Sequence, residues 1–119
     1  MRKVGKSKVS QLQKECDTLL QQKGRKLYKS CEVCGKPMSC LHHFHPKSVS
    51  NALRYDWDNL IPICNPCHMR HHQANDPYIH GTIIQKRGQE WHDTLLKRRW
   101  REEVKTNVAY YEAIKERLT

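Results

Sequence analysis

Four of the six cysteines fall in two matching brackets, Cys31-Glu32-Val33-Cys34 and Cys64-Asn65-Pro66-Cys67. Each C-x-x-C pair offers two thiolates from one tight turn, and two such pairs make the tetrahedral sulfur set of a structural zinc ion. Gly35, Pro37 and Pro66 supply the turn chemistry. Twenty-nine residues separate Cys34 from Cys64, more than in a simple zinc ribbon, so another element is inserted between the knuckles. Of the remaining thiols, Cys16 lies on a helical apolar stripe and reads as a core residue. Cys40 could compete for zinc but lacks a C-x-x-C partner. The inserted stretch and its flank are rich in imidazole: all eight histidines lie between positions 42 and 92, six of them within 42–72. Imidazole serves both as a metal ligand and as a proton acceptor near neutral pH.

Short elements must position these groups. Ser39 to Pro46 reads as a strand, a polar loop runs from Lys47 to Asn51, and Asp56-Trp57-Asp58-Asn59 reads as a turn. Leu60 to Cys64 reads as a second strand, which Pro62 confines to an edge. The Cys64 knuckle then opens a helix through His68, His71 and His72. Before this core, Val9, Leu12, Cys16, Leu19, Leu20 and Leu27 approach helical spacing, predicting an amphipathic helix over 7–28 that weakens at Gly24. After it, Asp76-Pro77 starts a helix, and Gly81 and Gly88 interrupt the helical pattern beyond. From about Gln89 to Leu118 the pattern predicts one long charged helix, with Trp91, Leu95, Val104, Val108 and Tyr111 near one face.

Cys31-x-x-Cys34, Leu41-His42-His43-Phe44-x-Pro46 and Asp58-Asn59-Leu60-Ile61-Pro62-Ile63-Cys64-x-x-Cys67-His68 together resemble the HNH endonucleases of the ββα-metal superfamily. The similarity is to the variety clamped by a four-cysteine zinc and covers about residues 31–72. More loosely, Ala52-Leu53-Arg54-Tyr55-Asp56 ahead of Asn59 is similar to phage recombination nucleases of the NinG/Rap type. The resemblance implies that His43 is the general base and His42 the first ligand of a catalytic divalent ion. It implies that Asn59 braces the loop of the base, and that His68 is a further ligand. On a helix, His72 lies roughly 40° from His68 and His71 roughly 60° away on the other side, so His72 is preferred as an additional ligand. The ion is expected to be Mg²⁺ or Mn²⁺, with Ni²⁺ or Zn²⁺ able to substitute. Adjacent strand residues point to opposite faces, so the backbone at His42-His43 must bend, bulge or end its strand. His45 reads as a loop or phosphate contact, and His80 and His92 as solvent-facing helix residues.

The expected architecture is α+β: a ββα-metal core with structural zinc, flanked by helices. It divides one domain into a basic helical arm (1–30), the zinc-clamped core (31–75) and a C-terminal helical region (76–119). The 119 residues are 37% hydrophobic and 29% charged, too apolar for full disorder and short enough that the core must be small. Formal net charge is +10, and residues 1–30 alone carry nine Lys/Arg against two acids. A basic balance of this kind points to a polyanion, which the resemblance implies is double-stranded or branched DNA. Arg54, Arg70, Lys97, Arg98 and Arg99 are the candidate phosphate contacts.

Met1 to Lys6 begin like a secretory leader, yet no apolar segment comes after them, and no run is long enough for a membrane span. A cytoplasmic protein is expected, or one of the host cytoplasm if phage-encoded. A homodimer through the long C-terminal helix is a further possibility. The resemblance implies a metal-dependent endonuclease in phage-type recombination, replication or DNA processing. The alternative is a zinc-clamped DNA-binding module whose nuclease centre is inactive.

Overall fold

In the computed structural model, residues 7–119 are described; Arg2, Lys3 and Lys6 of the basic arm lie outside them. Helix α1 (Lys8–Leu27) starts where the Ser7 side chain accepts a hydrogen bond from the Ser10 amide, a standard N-cap. Leu12, Cys16, Leu20 and Gly24, four residues apart, form its buried face. The helix does not weaken at Gly24. The hairpin packs tightly on that glycine: a Cβ there would collide with the Leu41 side chain.

Strands β1 (Cys40–His43) and β2 (Leu60–Ile63) form a two-stranded antiparallel hairpin pairing Cys40 with Ile63, Leu41 with Pro62, His42 with Ile61 and His43 with Leu60. Pro62, which has no amide proton, faces Leu41, and the backbone of Leu41 is satisfied from the other side. Its N–H donates to Gln21 Oε1 (2.8 Å) and its carbonyl accepts from Gln21 Nε2 (3.0 Å), so one glutamine of α1 takes the place of a third strand. Strand alternation sorts the apolar side chains. Leu41 and Leu60 join α1 and Tyr55 in one cluster, while Ile61 and Ile63 join the cysteine knuckles, Phe44, Leu53, Ile79, Ile83 and Leu95 in another.

A single 3-10 turn (Trp57–Asn59) precedes β2. Helix α2 (Asn65–Ala74) then begins at the second knuckle and ends at Asn75, whose left-handed φ of 52° stops it. Helix α3 (Pro77–Arg87) has Asp76 as N-cap, accepting from the Tyr78 amide, and runs uninterrupted through Gly81. Gly88, at φ 103°, is the break between α3 and α4 (Gln89–Arg101). Arg87 grips both carboxylate oxygens of Glu32 at 2.7 Å and ties α3 to the first knuckle.

The single long helix expected over 89–118 is instead two. Residues 102–107 are not helical, and Asn107 caps a new helix, α5 (Val108–Leu118), by accepting from the Tyr110 amide at 2.9 Å. The break lets Tyr111, Ile114 and Leu118 pack on Leu12, Cys16 and Leu20 of α1. Of the long helix expected to mediate a homodimer, the α5 part thus packs its apolar face on α1. No helix among the described residues is long and apolar enough to cross a membrane.

Candidate functional site

The thiols of Cys31, Cys34, Cys64 and Cys67 all lie within 4.8 Å of one another. Gly35, at φ 79°, closes the first knuckle, with its amide on the Cys31 carbonyl (2.9 Å). The Lys36 amide donates to the Cys34 sulfur and holds that thiol down to about 7. Burial pushes the Cys64 and Cys67 thiols up. Four sulfurs from two turns, without a carboxylate, fit Zn²⁺. Cys40 stands outside this set; its sulfur faces His68 Nδ1 at 3.6 Å.

The second centre is built on His42 and His43. Strand β1 ends at His43, where the Phe44 amide turns to the Asn59 carbonyl at 2.9 Å. The strand end lets both imidazoles line one cavity of about 410 Å³ with Gln21, Lys47, His68, His71 and His72. His43 Nε2 lies 2.8 Å from the Arg54 carbonyl oxygen. A carbonyl can only accept, so Nε2 carries the proton and Nδ1 keeps its lone pair. Burial, opposed by that hydrogen bond, lowers the His43 pKa to about 4.

Asn59, fully buried, staples the intervening loop. Its Oδ1 accepts from the His45 amide (2.7 Å), and its Nδ2 donates to the carbonyls of His45 (3.0 Å) and Leu53 (3.2 Å). The loop it closes leads directly into Arg54, whose carbonyl orients His43. His45 is itself buried, and its Nε2 has no hydrogen-bond partner among the described residues.

His42 is 4% exposed and lies among four other imidazoles. Its ligand nitrogen, with those of His68 and His72, forms a set within 4.8 Å. His68 and His72, one helical turn apart on α2, face each other through Nε2 at 2.9 Å. Burial, then the neighbouring imidazoles, lowers the His42 pKa to about 2, so all of its binding capacity is available at neutral pH. Three neutral imidazoles fit a divalent ion of the first transition row better than Mg²⁺, which would keep most of its waters there.

His80 departs from expectation. It is not a solvent-facing helix residue: it is half-buried, its Nε2 lies 2.9 Å from His42 Nε2, and it forms a second set with His42 and His71. The signal was unreadable in sequence because α3 carries it in from beyond the motif. His92 is also partly buried, with its ring 5.8 Å from that of Phe44.

Three of the five candidate phosphate contacts are ion-paired within the chain. Arg54 is paired with Asp17 on α1 through two hydrogen bonds and is 12% exposed. Arg70 pairs with Asp76, and Arg98 with Asp56 and Glu102. Arg99 lies over the exposed Trp100 ring at 5.1 Å and approaches His45 Nδ1 at 3.4 Å, and Lys97 is exposed.

Residues 31–74 match the family described as HNH endonuclease. A stretch of 48 residues is 40% identical to the mitochondrial DNA mismatch repair protein mutS homolog of Sarcophyton glaucum, covering 37% of this chain and 5% of that protein. The chain therefore spans a small part of that relative's length. No solved structure matches. The knuckles, hairpin and α2 thus make up an HNH endonuclease domain, of a family of phosphodiester hydrolases.

Proposed function

We propose that the protein is a metal-dependent DNA endonuclease in which His43 is the general base. The observation that carries the reading is the His43–Arg54 carbonyl hydrogen bond, which puts the proton on Nε2 and leaves Nδ1 unprotonated on a residue that lines the cavity. An imidazole held neutral by burial accepts a proton from water at Nδ1, and its fixed Nε2–H keeps the ring oriented as charge develops. His42, His68 and His72 hold the divalent ion, which supplies Lewis-acid charge to the phosphate and the departing 3′ oxygen. By resemblance, the product carries a 5′ phosphate. Asn59 keeps the base's loop closed and takes no part in proton transfer. Arg99 and Lys97, with the exposed Trp100, offer a basic and aromatic surface for the DNA backbone.

The substrate class we favour is branched recombination or replication intermediates of the kind phages process. It rests on the Ala52-Leu53-Arg54-Tyr55-Asp56 resemblance; the similarity to a protein named for DNA mismatch repair supports DNA more generally. All six cysteines are unpaired, which suits a reducing cytoplasm.

The test is cleavage of supercoiled plasmid and of a synthetic four-way junction with Mg²⁺, Mn²⁺ or EDTA, with His43→Ala alongside. Metal-dependent cutting that falls at least about a hundredfold in the variant, with DNA affinity retained, is expected. Equal cutting by the two proteins would remove His43 from the role. DNA binding without cutting under any metal would favour an inactive binding module.

A further inference from the structure

His42 stands where two imidazole sets meet. One, with His68 and His72, is the set assigned to the catalytic ion. The other, His42, His71 and His80, likewise brings its ligand nitrogens within 4.8 Å of one another. It is the more enclosed of the two: His71 and His80 are partly buried, whereas His72 is exposed.

His80 belongs to α3 and lies outside residues 31–74, so its presence owes nothing to the matched segment. Its ring is held by stacking on Phe44, with centroids 4.2 Å apart and planes at 22°, and on His71 at 4.1 Å and 18°. Its Nε2 already faces His42 Nε2 at 2.9 Å. Tetrahedral ligands on zinc, at Zn–N distances of about 2.0–2.1 Å, lie about 3.3 Å apart; His71, whose ring lies nearly parallel to that of His80, turns out of that stack when both lone pairs meet one ion.

We propose that His42, His71 and His80 form a second, all-imidazole site that takes Zn²⁺ or a similar borderline transition-metal ion, and that filling it withdraws His42 from the catalytic set. Imidazole suits zinc, whereas Mg²⁺ seeks oxygen ligands and keeps its waters. A neutral imidazole has one lone pair, so His42 holds one ion at a time. The two sites are therefore mutually exclusive, and zinc opposes Mg²⁺-supported cleavage. The metal site stands by itself; the inhibition rests on the nuclease reading.

The test starts from protein with its cysteine cluster loaded with zinc, titrated with Zn²⁺ in competition with Co²⁺, whose visible bands report imidazole ligation. His80→Phe keeps the stack on Phe44 and removes the ligand; His80→Gln serves as a second variant, and zinc content at the cysteines reports folding. The His80 variants should bind the additional Zn²⁺ at least about tenfold more weakly, and His72→Ala within about threefold of the parent. The reverse order, or no zinc beyond the cysteine cluster in the parent, would overturn the site. In the cleavage arm, zinc should inhibit the parent but not His80→Phe; equal inhibition of both would overturn the withdrawal of His42. A parent that binds the additional zinc but never cuts DNA would refute the nuclease reading and leave the metal site intact.

Discussion

Replacing Asn59 with alanine tests whether one buried amide holds the catalytic loop. The side chain is fully buried and makes three hydrogen bonds, to the amide and carbonyl of His45 and to the carbonyl of Leu53. Each such bond contributes about 0.5–1.5 kcal/mol net, and alanine also leaves the amide and carbonyl of His45 without these partners while the Leu53 carbonyl keeps the Asp56 amide, so the combined loss is about 3–5 kcal/mol. For a chain of this size about 1 kcal/mol corresponds to about 4 °C, which puts the fall in Tm at about 12–20 °C.

Asn59→Asp separates the hydrogen bonds from the volume. It keeps an acceptor for the His45 amide but sets an oxygen against two carbonyls, so it should not restore stability. Urea and thermal unfolding of the zinc-loaded proteins give the stability change. Single-turnover cleavage, measured where the variants remain folded, gives the functional one. Because the stapled loop delivers the Arg54 carbonyl to His43, cleavage should fall about a hundredfold with zinc content unchanged. A loss under about 1 kcal/mol with normal cleavage would refute the reasoning.

The same geometry dictates other outcomes. With Mg²⁺ saturating, the acid limb of the cleavage profile should lie near pH 4 rather than 6.5, because burial disfavours the protonated form of His43 and its base is lost only below its lowered pKa; a limb at 6.5 would refute this. The same shift makes stability fall as pH drops from 6.5 to 4, where unfolded chains take up the proton first; at about 1.36 kcal/mol per unit this one group contributes about 3 kcal/mol, so the denaturant-midpoint slope over that range should be shallower in His43→Ala, with His42 and His80 supplying what remains. Cys64→Ser should release the structural zinc and unfold the knuckles and hairpin, read by zinc content and circular dichroism. Gly24→Ala should gain about 1 kcal/mol in helix propensity but lose about 1–3 kcal/mol by overpacking Leu41, for a net destabilisation that Leu41→Ala relieves; a stabilised Gly24→Ala would contradict the close approach.

The features legible in the sequence were local. The two cysteine brackets, the need for a backbone change at His42-His43, the i, i+4 spacing of His68 and His72 and the capping residues Asp76 and Pro77 all declare themselves within a few positions, because turn and helix geometry act at that range; the strand read as far as Pro46 ends at His43. The missed features depend on contacts between distant segments. Gly24 looked like a helix weakness because the requirement for it is Leu41, from another element. Arg54 looked free because Asp17 lies on α1, and Arg98 because its partner Asp56 precedes it by several intervening elements. His80 carried no spacing relation to the motif; only the packing of α3 against Phe44 brings it to His42. The break at 102–107 was hidden by a charge pattern that continues across it, while the apolar face it frees is defined by α1.

The pairing of α1 with α5 also sets the order in which the protein can complete itself during synthesis. Cys16 and Tyr111, Gln13 and Tyr111, and Glu15 and Lys115 meet across nearly the whole chain. A ribosome releases α1 before the α5 that covers it. Until α5 emerges, Leu12, Cys16 and Leu20 have only the hairpin to shield them, and a nascent chain halted before residue 108 presents that stripe to chaperones or to other nascent chains. The zinc knuckles, complete once Cys67 has emerged, can close well before then. Metal loading would thus precede the docking of α5 on α1, and slow translation of α5 would extend the interval in which a metal-filled core is not yet sealed.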